Sequence, residues 1–121
     1  MKKEIKRGAL YEMESELVQL KLQQPGLALL LESSIHRFYK NQKAEITLMH
    51  DGIDKIRRQF IQTDGAGNFL TEQNGDDEDW KYVNSYTDFK AAQTYYTKNE
   101  IKKVFGEKVK EFLNITINVI V

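Results

Sequence analysis

Residues 28–60 read ALLLESSIHRFYKNQKAEITLMHDGIDKIRRQF, and apolar residues recur in this stretch at spacings of three and four. That period is typical of one face of an amphipathic helix, and it predicts a long helix over residues 27–63. At about 1.5 Å per residue, the helix spans on the order of 55 Å. Gly52 is the expected weak point, where a bend or a break is allowed. The predicted apolar stripe consists of Ala28, Leu31, Ile35, Tyr39, Gln42, Ile46, Met49, Ile53, Ile56 and Phe60.

A shorter helix is predicted over residues 9–23, where apolar residues repeat at the same spacing. Pro25-Gly26 ends it and allows a sharp reversal, so the two helices form a hairpin over residues 9–63. Because the first helix is much shorter, we expect it to cover the stripe only through about Tyr39. The residues expected to cover it are Leu10, Met13, Leu17 and Leu20.

The second half of the chain is more broken. Residues 64–79, DGAGNFLTEQNGDDED, are rich in glycine, asparagine and acidic residues, which predicts a loop. Ser85 resembles a helix N-cap and predicts a helix from Tyr86, and a last helix is expected to end near Asn114. The tail ITINVIV, residues 115–121, alternates as a strand does and needs a partner. The candidates are the segment around Ile5 and residues 80–83.

These elements predict one domain, residues 1–121, of the α+β class and mainly helical. It consists of the helical hairpin (9–63), the loop (64–79) and a C-terminal helix and strand region (80–121). A small two- or three-stranded sheet is expected to include the C-terminal strand.

Composition limits the function. The 18 basic and 18 acidic residues cancel, so no global attraction to nucleic acid or to an anionic membrane is expected. The chain has no cysteine, which excludes disulfides, thiol chemistry and cysteine zinc sites. No apolar run approaches the roughly 20 residues that cross a bilayer. We therefore expect a cytoplasmic protein without a membrane partner.

No catalytic constellation is visible. His36 and His50 are fourteen residues apart on one predicted helix, roughly 20 Å by rise, so they cannot share a metal. The acidic run at residues 76–79 lacks calcium-loop spacing, which favours a solvated loop and leaves cation binding open. We expect no enzyme activity, no metal and no cofactor.

Basic residues form two clusters, each interleaved with acids and without a nucleic-acid motif. A solvated helix face is the favoured interpretation, and nucleic-acid binding is the third hypothesis. The clusters are Lys2, Lys3, Lys6 and Arg7, and Lys55, Arg57 and Arg58.

Two groups of residues are candidates for protein contact. An acidic and aromatic group is predicted to bind a protein, because Tyr and Trp are enriched at interfaces. It consists of Asp76, Asp77, Asp79, Trp80, Tyr82, Tyr86, Tyr95 and Tyr96. The distal half of the stripe must meet either the C-terminal helix or another molecule, such as a second copy. These candidate helix-pairing residues are Ile46, Met49, Ile53, Ile56 and Phe60.

The order of elements adds a resemblance. IKRGAL (5–10) leads to a leucine-rich helix and a Pro-Gly turn, and the long helix closes with IRRQFIQTDGAGNFLT (56–71). EKVKEFLN (107–114) and ITINVIV (115–121) complete the chain. This layout resembles a family of short uncharacterised proteins encoded by tailed phages and prophages of Gram-positive bacteria. The resemblance covers most of the chain and implies an accessory or interaction role, in the host cytoplasm or with the virion.

Three hypotheses follow. The first is a non-enzymatic, phage-encoded protein-binding module that assists virion assembly or binds a host protein, for example one of a defence system. The second is a structural protein that self-assembles through the distal half of the long helix. The third is a nucleic-acid-binding accessory protein.

Overall fold

The computed structural model describes residues 2–120, so Val121, the last residue of the predicted C-terminal strand, lies outside the described residues. The fold is α+β and mainly helical, as predicted, with 57% of the described residues in helices. Its elements in chain order are β1 (Lys2–Lys6), α1 (Arg7–Gln23), α2 (Pro25–Leu30), α3 (Glu32–Phe60), β2 (Thr71–Asn74), β3 (Asp77–Trp80), β4 (Tyr86–Asp88), β5 (Gln93–Tyr95), α4 (Lys98–Leu113) and β6 (Thr116–Ile120).

The chain divides into two compact units. Unit 1 comprises the chain as far as Gly52 and again from Lys110, and unit 2 comprises Ile53–Val109. Helices α3 and α4 therefore each contribute residues to both units. The expectation of a single domain stays a prediction.

Unit 1 contains the predicted helical hairpin. The Lys21 ammonium lies 4.8 Å from the centre of the Tyr39 ring, and Glu14 lies 2.9 Å from the His50 ring. A residue near the end of α1 thus contacts the first half of α3, and an earlier residue of α1 contacts a later one of α3. The two helices are therefore antiparallel. This confirms the hairpin.

The long helix is not continuous over residues 27–63. It is divided at Leu31, whose backbone (φ −99°, ψ 10°) departs from helical values and separates α2 from α3. Ser33 and Ser34 follow closely. Both have low helix propensity, so they do little to keep α2 and α3 one continuous helix. At the other end α3 stops at Phe60, because Ile61 forms a β-bridge with Tyr82.

Gly52 does not interrupt α3. Instead the ring of Phe112 occupies the space next to it, and a Cβ added at Gly52 would lie 2.1 Å from the Phe112 Cζ. Both residues belong to unit 1. The glycine therefore allows a close approach of a helix backbone and an aromatic ring, rather than a bend.

The terminal strands close unit 1. Strand β6 pairs antiparallel with β1, and Ile5 lies opposite Ile117, so the N-terminal segment is the partner of the C-terminal strand. Ile117 and Val119 are buried, whereas Thr116, Asn118 and Ile120 are exposed. Gln42, the polar member of the stripe, exchanges two hydrogen bonds with the backbone of Ile120: its amide nitrogen donates to the carbonyl, and its oxygen accepts from the N–H.

Unit 2 corrects the predicted loop over residues 64–79. Part of that loop is a β-hairpin, because β2 and β3 pair antiparallel around Gly75-Asp76. Gly75 has φ +67°, a conformation that glycine adopts at no steric cost. The glycine and the acidic residues therefore mark a tight turn rather than an irregular loop.

Unit 2 also corrects the helix predicted from Tyr86. Tyr86–Asp88 and Gln93–Tyr95 form a second hairpin, in which Thr87 lies opposite Thr94 and their hydroxyls are 3.0 Å apart. Aromatic and β-branched residues fit a pleated strand better than a helix, and here they occupy the paired positions. Ser85 is thus the residue before a strand and caps no helix.

The core of unit 2 is formed around Phe60. Its ring centre lies 4.1 Å from that of Tyr86 and 5.5 Å from that of Phe105. Such tilted aromatic pairs add to the stabilisation that comes from burial alone. The buried residues of this core are Phe60, Ile61, Tyr82, Ile101 and Val104.

Candidate protein-binding surface

The aromatic residues predicted to contact a partner are mostly core residues. Tyr82 is 7% exposed, and Tyr86 and Tyr95 pack against the core of unit 2. The Trp80 ring lies edge-on to Phe69 at 6.0 Å. Of the four tyrosines in the group, Tyr96 alone is largely exposed, at 71%. Trp80, Tyr82, Tyr86 and Tyr95 fill space between short strands and so offer little free surface, and the aromatic contact surface stays a prediction.

The three acidic residues of that group differ from one another. Asp76 and Asp77 are exposed at the β2–β3 turn, whereas Asp79 pairs with Lys102 at 3.3 Å and Lys98 at 3.5 Å. Partial desolvation raises the pKa of Asp79, but the Trp80 amide and the two lysines outweigh it and hold the pKa below its usual value. Asp79 thus has a structural role within unit 2.

The candidate helix-pairing residues are also buried. Met49 and Phe60 are fully buried, Ile46 and Ile53 are less than 10% exposed, and Ile56 is half-buried. A second copy would find almost no apolar surface at these positions. The folded chain already covers most of this surface, and the pairing role stays a prediction.

The arginines of the two basic clusters lie over aromatic rings. The Arg7 guanidinium lies 4.3 Å from the centre of the Phe112 ring, and that of Arg58 lies 5.2 Å from the Phe69 ring. Arg58 also pairs with Asp54 at 3.2 Å. Because these cations are already engaged, they offer less to a phosphate backbone than free ones would.

His50 has a partner that the sequence did not reveal. Its Nε2 lies 2.9 Å from both carboxylate oxygens of Glu14, which joins α3 to α1 within unit 1. Residues 36 positions apart give no local signal for such a pair. Within residues 2–120, no group of three or more His, Asp or Glu side chains is arranged to hold a metal ion. The same residues include no helix with the length and apolar character of a membrane span.

Unit 1 exposes a compact set of leucines where the hairpin reverses. Leu30 is 83% exposed, Leu22 is 72% and Leu29 is 69%, and the other two are near 40%. We call this set the leucine surface. It consists of Leu22, Leu27, Leu29, Leu30 and Leu31.

The local sequence explains why these leucines are displayed. Pro25 is the first residue of α2, where its missing N–H costs no hydrogen bond, so the chain turns immediately after α1. The short helix that follows, PGLALL, has leucines on more than one side and no buried residue. The signal was visible in the sequence: Leu27, Leu29 and Leu30 lie outside the apolar stripe, yet sequence analysis did not single them out.

The leucine surface is strongly exposed. Three of its five residues, Leu22, Leu29 and Leu30, are each more than two thirds exposed. Exposed apolar residues that lie together on a soluble protein are often functional.

Two grooves flank the leucine surface along the hairpin. The first, about 480 Å³, is apolar and is lined by Met13, Leu17, Leu20, Leu31 and Phe38 among others. The second, about 710 Å³, contains Lys21, His36, Arg37 and Lys40, and we call it the basic groove. Tyr39 also lines it, and burial, followed by the charge of Glu14, raises the pKa of that tyrosine.

Comparison of the chain with protein-family models, with curated proteins and with solved structures found no match in any of the three.

Proposed function

We propose that this protein is a non-enzymatic protein-binding module that makes its contact through the leucine surface. The observation that carries the proposal is the exposure of five leucines within ten residues, at the reversal of the helical hairpin. Apolar patches exposed on soluble proteins are often functional. Burying one exposed leucine contributes about 1.5–3 kcal/mol, so several together can sustain a specific complex.

The partner follows from the phage context that the layout of the chain implies. In that context the module serves virion assembly, or it binds a host protein such as a component of a defence system. Both roles require contact and no chemistry. The residues of the leucine surface are suited to contact alone, because leucine side chains carry no group that reacts or transfers protons.

Self-assembly is the second candidate function, and it would use the leucine surface instead of the distal stripe. The distal stripe is buried, so a second copy would have to meet the hairpin reversal instead. In a two-fold dimer each surface faces its own copy, which would bring the cations of the two basic grooves near one another. We therefore favour a different chain as the partner. Nucleic-acid binding ranks third, because the arginines of the basic clusters are already engaged.

Capture from infected cells tests the proposal. The tagged wild type, applied to a lysate of phage-infected Gram-positive cells, should recover a partner that Leu29→Glu/Leu30→Glu does not recover. Two charges in the centre of the contact would have to be desolvated, which costs several kcal/mol.

Leu48→Glu is the matched control, because Leu48 is 57% exposed and lies elsewhere, on α3. This variant should capture the partner as the wild type does. Recovery of no partner by the wild type would contradict the proposal, and so would equal recovery by the double variant. Circular dichroism of each variant shows that the fold is kept.

A further inference from the structure

Three cations line the basic groove. Lys21 comes from α1, and Arg37 and Lys40 come from α3, one turn apart. In the part of the chain that the structure describes, no carboxylate pairs with any of the three within 4.0 Å. Glu32 is the one acidic residue that lines the groove. Among residues 2–120, the side chains that line the groove therefore carry a net positive charge.

The position of the charge relative to the leucines adds to the argument. Lys21 precedes Leu22 on α1. Ala28, which lies between Leu27 and Leu29 in the sequence of α2, also lines the basic groove. Ile35 lines both grooves. A single segment of a partner that covers the leucines would thus also reach the cations.

We propose that the leucine surface and the basic groove together accept an acidic amphipathic helix of the partner protein. Its apolar side chains pack on the leucines, and its carboxylates enter the groove beside Arg37 and Lys40. This inference rests on the proposed function and names the chemistry of its partner. An amphipathic helix presents anchors at i, i+3, i+4 and i+7, which matches a surface one hairpin wide. Complementary charge then fixes the register of the helix and speeds the encounter.

The shape of the site favours a helix over an anionic membrane. Both flanking features are grooves, of about 480 and 710 Å³, which the side chains of a helix fill and a planar bilayer leaves open. Lys21 is already engaged over the Tyr39 ring, 4.8 Å from its centre, so we assign the partner's carboxylates to Arg37 and Lys40. A second copy is disfavoured because it would bring like charges together.

Selection from a displayed library of random peptides, each about 16 residues long, tests the proposal. Peptides enriched on the immobilised wild type should carry a net negative charge, with leucine-like residues at helical spacing. Their affinity, measured by fluorescence anisotropy, should fall about tenfold or more for Arg37→Glu/Lys40→Glu, because two attractions become repulsions. It should also weaken as ionic strength rises from about 0.05 M to about 0.3 M.

Lys55→Glu/Lys103→Glu makes the same change in net charge at exposed positions outside the groove, and should leave the affinity unchanged. Enrichment of neutral or basic peptides, no enrichment at all, or equal binding by the Arg37 and Lys40 variant would each overturn the inference. So would binding to vesicles of phosphatidylglycerol and phosphatidylcholine without any acidic peptide, or a dimer that Leu29→Glu/Leu30→Glu disperses.

The results distinguish a failure of this inference alone from a failure of the proposed function. If neutral or basic peptides are enriched and Leu29→Glu/Leu30→Glu abolishes their binding, the acidic partner is excluded while the leucine surface remains a protein-binding site. If neither peptides nor an infected lysate bind in a leucine-dependent way, the proposed function fails together with this inference.

Discussion

Both units bury a core, but they differ in how many leucines they leave exposed. Unit 2 is formed from short strands and part of two helices, yet it buries Phe60, Ile61 and Ile101 almost completely. Unit 1 has the longer helices, yet α2 buries none of its residues and five leucines stay in water. Because hydrophobic burial is the main stabilising contribution to folding, the buried residues of both units, such as Leu10 and Met49 in unit 1, stabilise the fold, whereas the five exposed leucines contribute little to it.

The turns of the two units also differ in the kind of side chain found at them. In unit 2 the Asp64 carboxylate accepts hydrogen bonds from the Ala66 and Asn68 amides, and that of Asp88 accepts from Lys90 and Ala91. In unit 1 neither α1 nor α2 has a side-chain cap at its N-terminus. Polar side chains thus hold the turns of unit 2, and apolar side chains mark the reversal of unit 1.

The largest effect is expected in the core of unit 2. Phe60→Ala should lower the free energy of unfolding by about 3–5 kcal/mol, because it leaves a cavity where Tyr86 and Phe105 now pack. Phe89→Ala is the control, since Phe89 is 89% exposed and its loss should cost less than about 0.5 kcal/mol. Urea unfolding measures both. Similar losses for the two variants would mean that Phe60 does not organise a core.

Two helical glycines should respond with opposite signs. Gly52→Ala should cost about 1–3 kcal/mol, since its Cβ would overlap the Phe112 ring. Gly106→Ala in α4 should instead stabilise by about 0.4–1 kcal/mol, because a Cβ there meets nothing within 4 Å and alanine favours the helix. Thermal unfolding of the two variants measures the contrast, and a stabilising Gly52→Ala would show that Phe112 yields freely. Gly52→Ala/Phe112→Leu should recover part of the loss.

The helical elements could be predicted from the sequence because their signals are local and repeat. The stripe from Ile35 to Phe60 and the Pro25 stop each act within a few residues, and both correspond to real boundaries or buried faces. The β1–β6 pairing was one of two options, since the alternation in residues 115–121 shows that a strand exists but not what it pairs with. The break at Leu31 was missed, because the stripe keeps its phase there.

Unit 2 was predicted less well, for a physical reason. Its strands are three or four residues long, too short for a period of two to stand out, and the register of Tyr86 with Tyr95 is set by cross-strand packing. The burial of the candidate aromatic residues could not be predicted for a related reason. Aromatic residues are enriched both in cores and at interfaces, so Tyr82 and Tyr86 gave no indication of which they would join. Whether an aromatic residue lies in the core or on the surface depends on the tertiary fold.

A buried polar contact of unit 1 should have a smaller effect. Gln42→Leu keeps the size of the side chain but removes both hydrogen bonds to the Ile120 backbone, so we expect a loss of about 1–2 kcal/mol. Gln59→Leu, on the exposed side of α3, is the control and should be nearly neutral. Hydrogen exchange at the Ile120 amide should accelerate only in the Gln42 variant. Unchanged exchange would show that β6 is held by β1 alone.

Acid should destabilise unit 2 through its turn carboxylates. The hydrogen bond from Ala91, followed by Lys108, holds the pKa of Asp88 below its usual value against partial desolvation, and the Asn68 amide does the same for Asp64. A lowered pKa in the folded state contributes stability above the unfolded value of about 3.9, and that stability is lost as pH falls through the folded pKa. Asp88→Asn should therefore melt below the wild type at neutral pH, with the difference vanishing in strong acid.

Asp76→Asn is the matched control for that titration, because Asp76 lies at the exposed β2–β3 turn. Its melting temperature should follow the wild type at every pH. A difference between Asp88→Asn and the wild type that stays constant from neutral to strongly acidic solution would show that the charge of Asp88 contributes nothing.

The smallest effect on stability should come from the leucine surface itself. Leu30→Ser should change the free energy of unfolding by less than about 0.5 kcal/mol, because a side chain that is 83% exposed loses little burial. Leu10→Ala, in the same unit but fully buried, should cost about 2–5 kcal/mol. Urea unfolding separates the two, and capture of the partner should follow the opposite order, since Leu30→Ser weakens binding while leaving the fold intact. If Leu30→Ser proved as costly as Leu10→Ala, the leucines would belong to the core of unit 1, and the contrast between the two units would disappear.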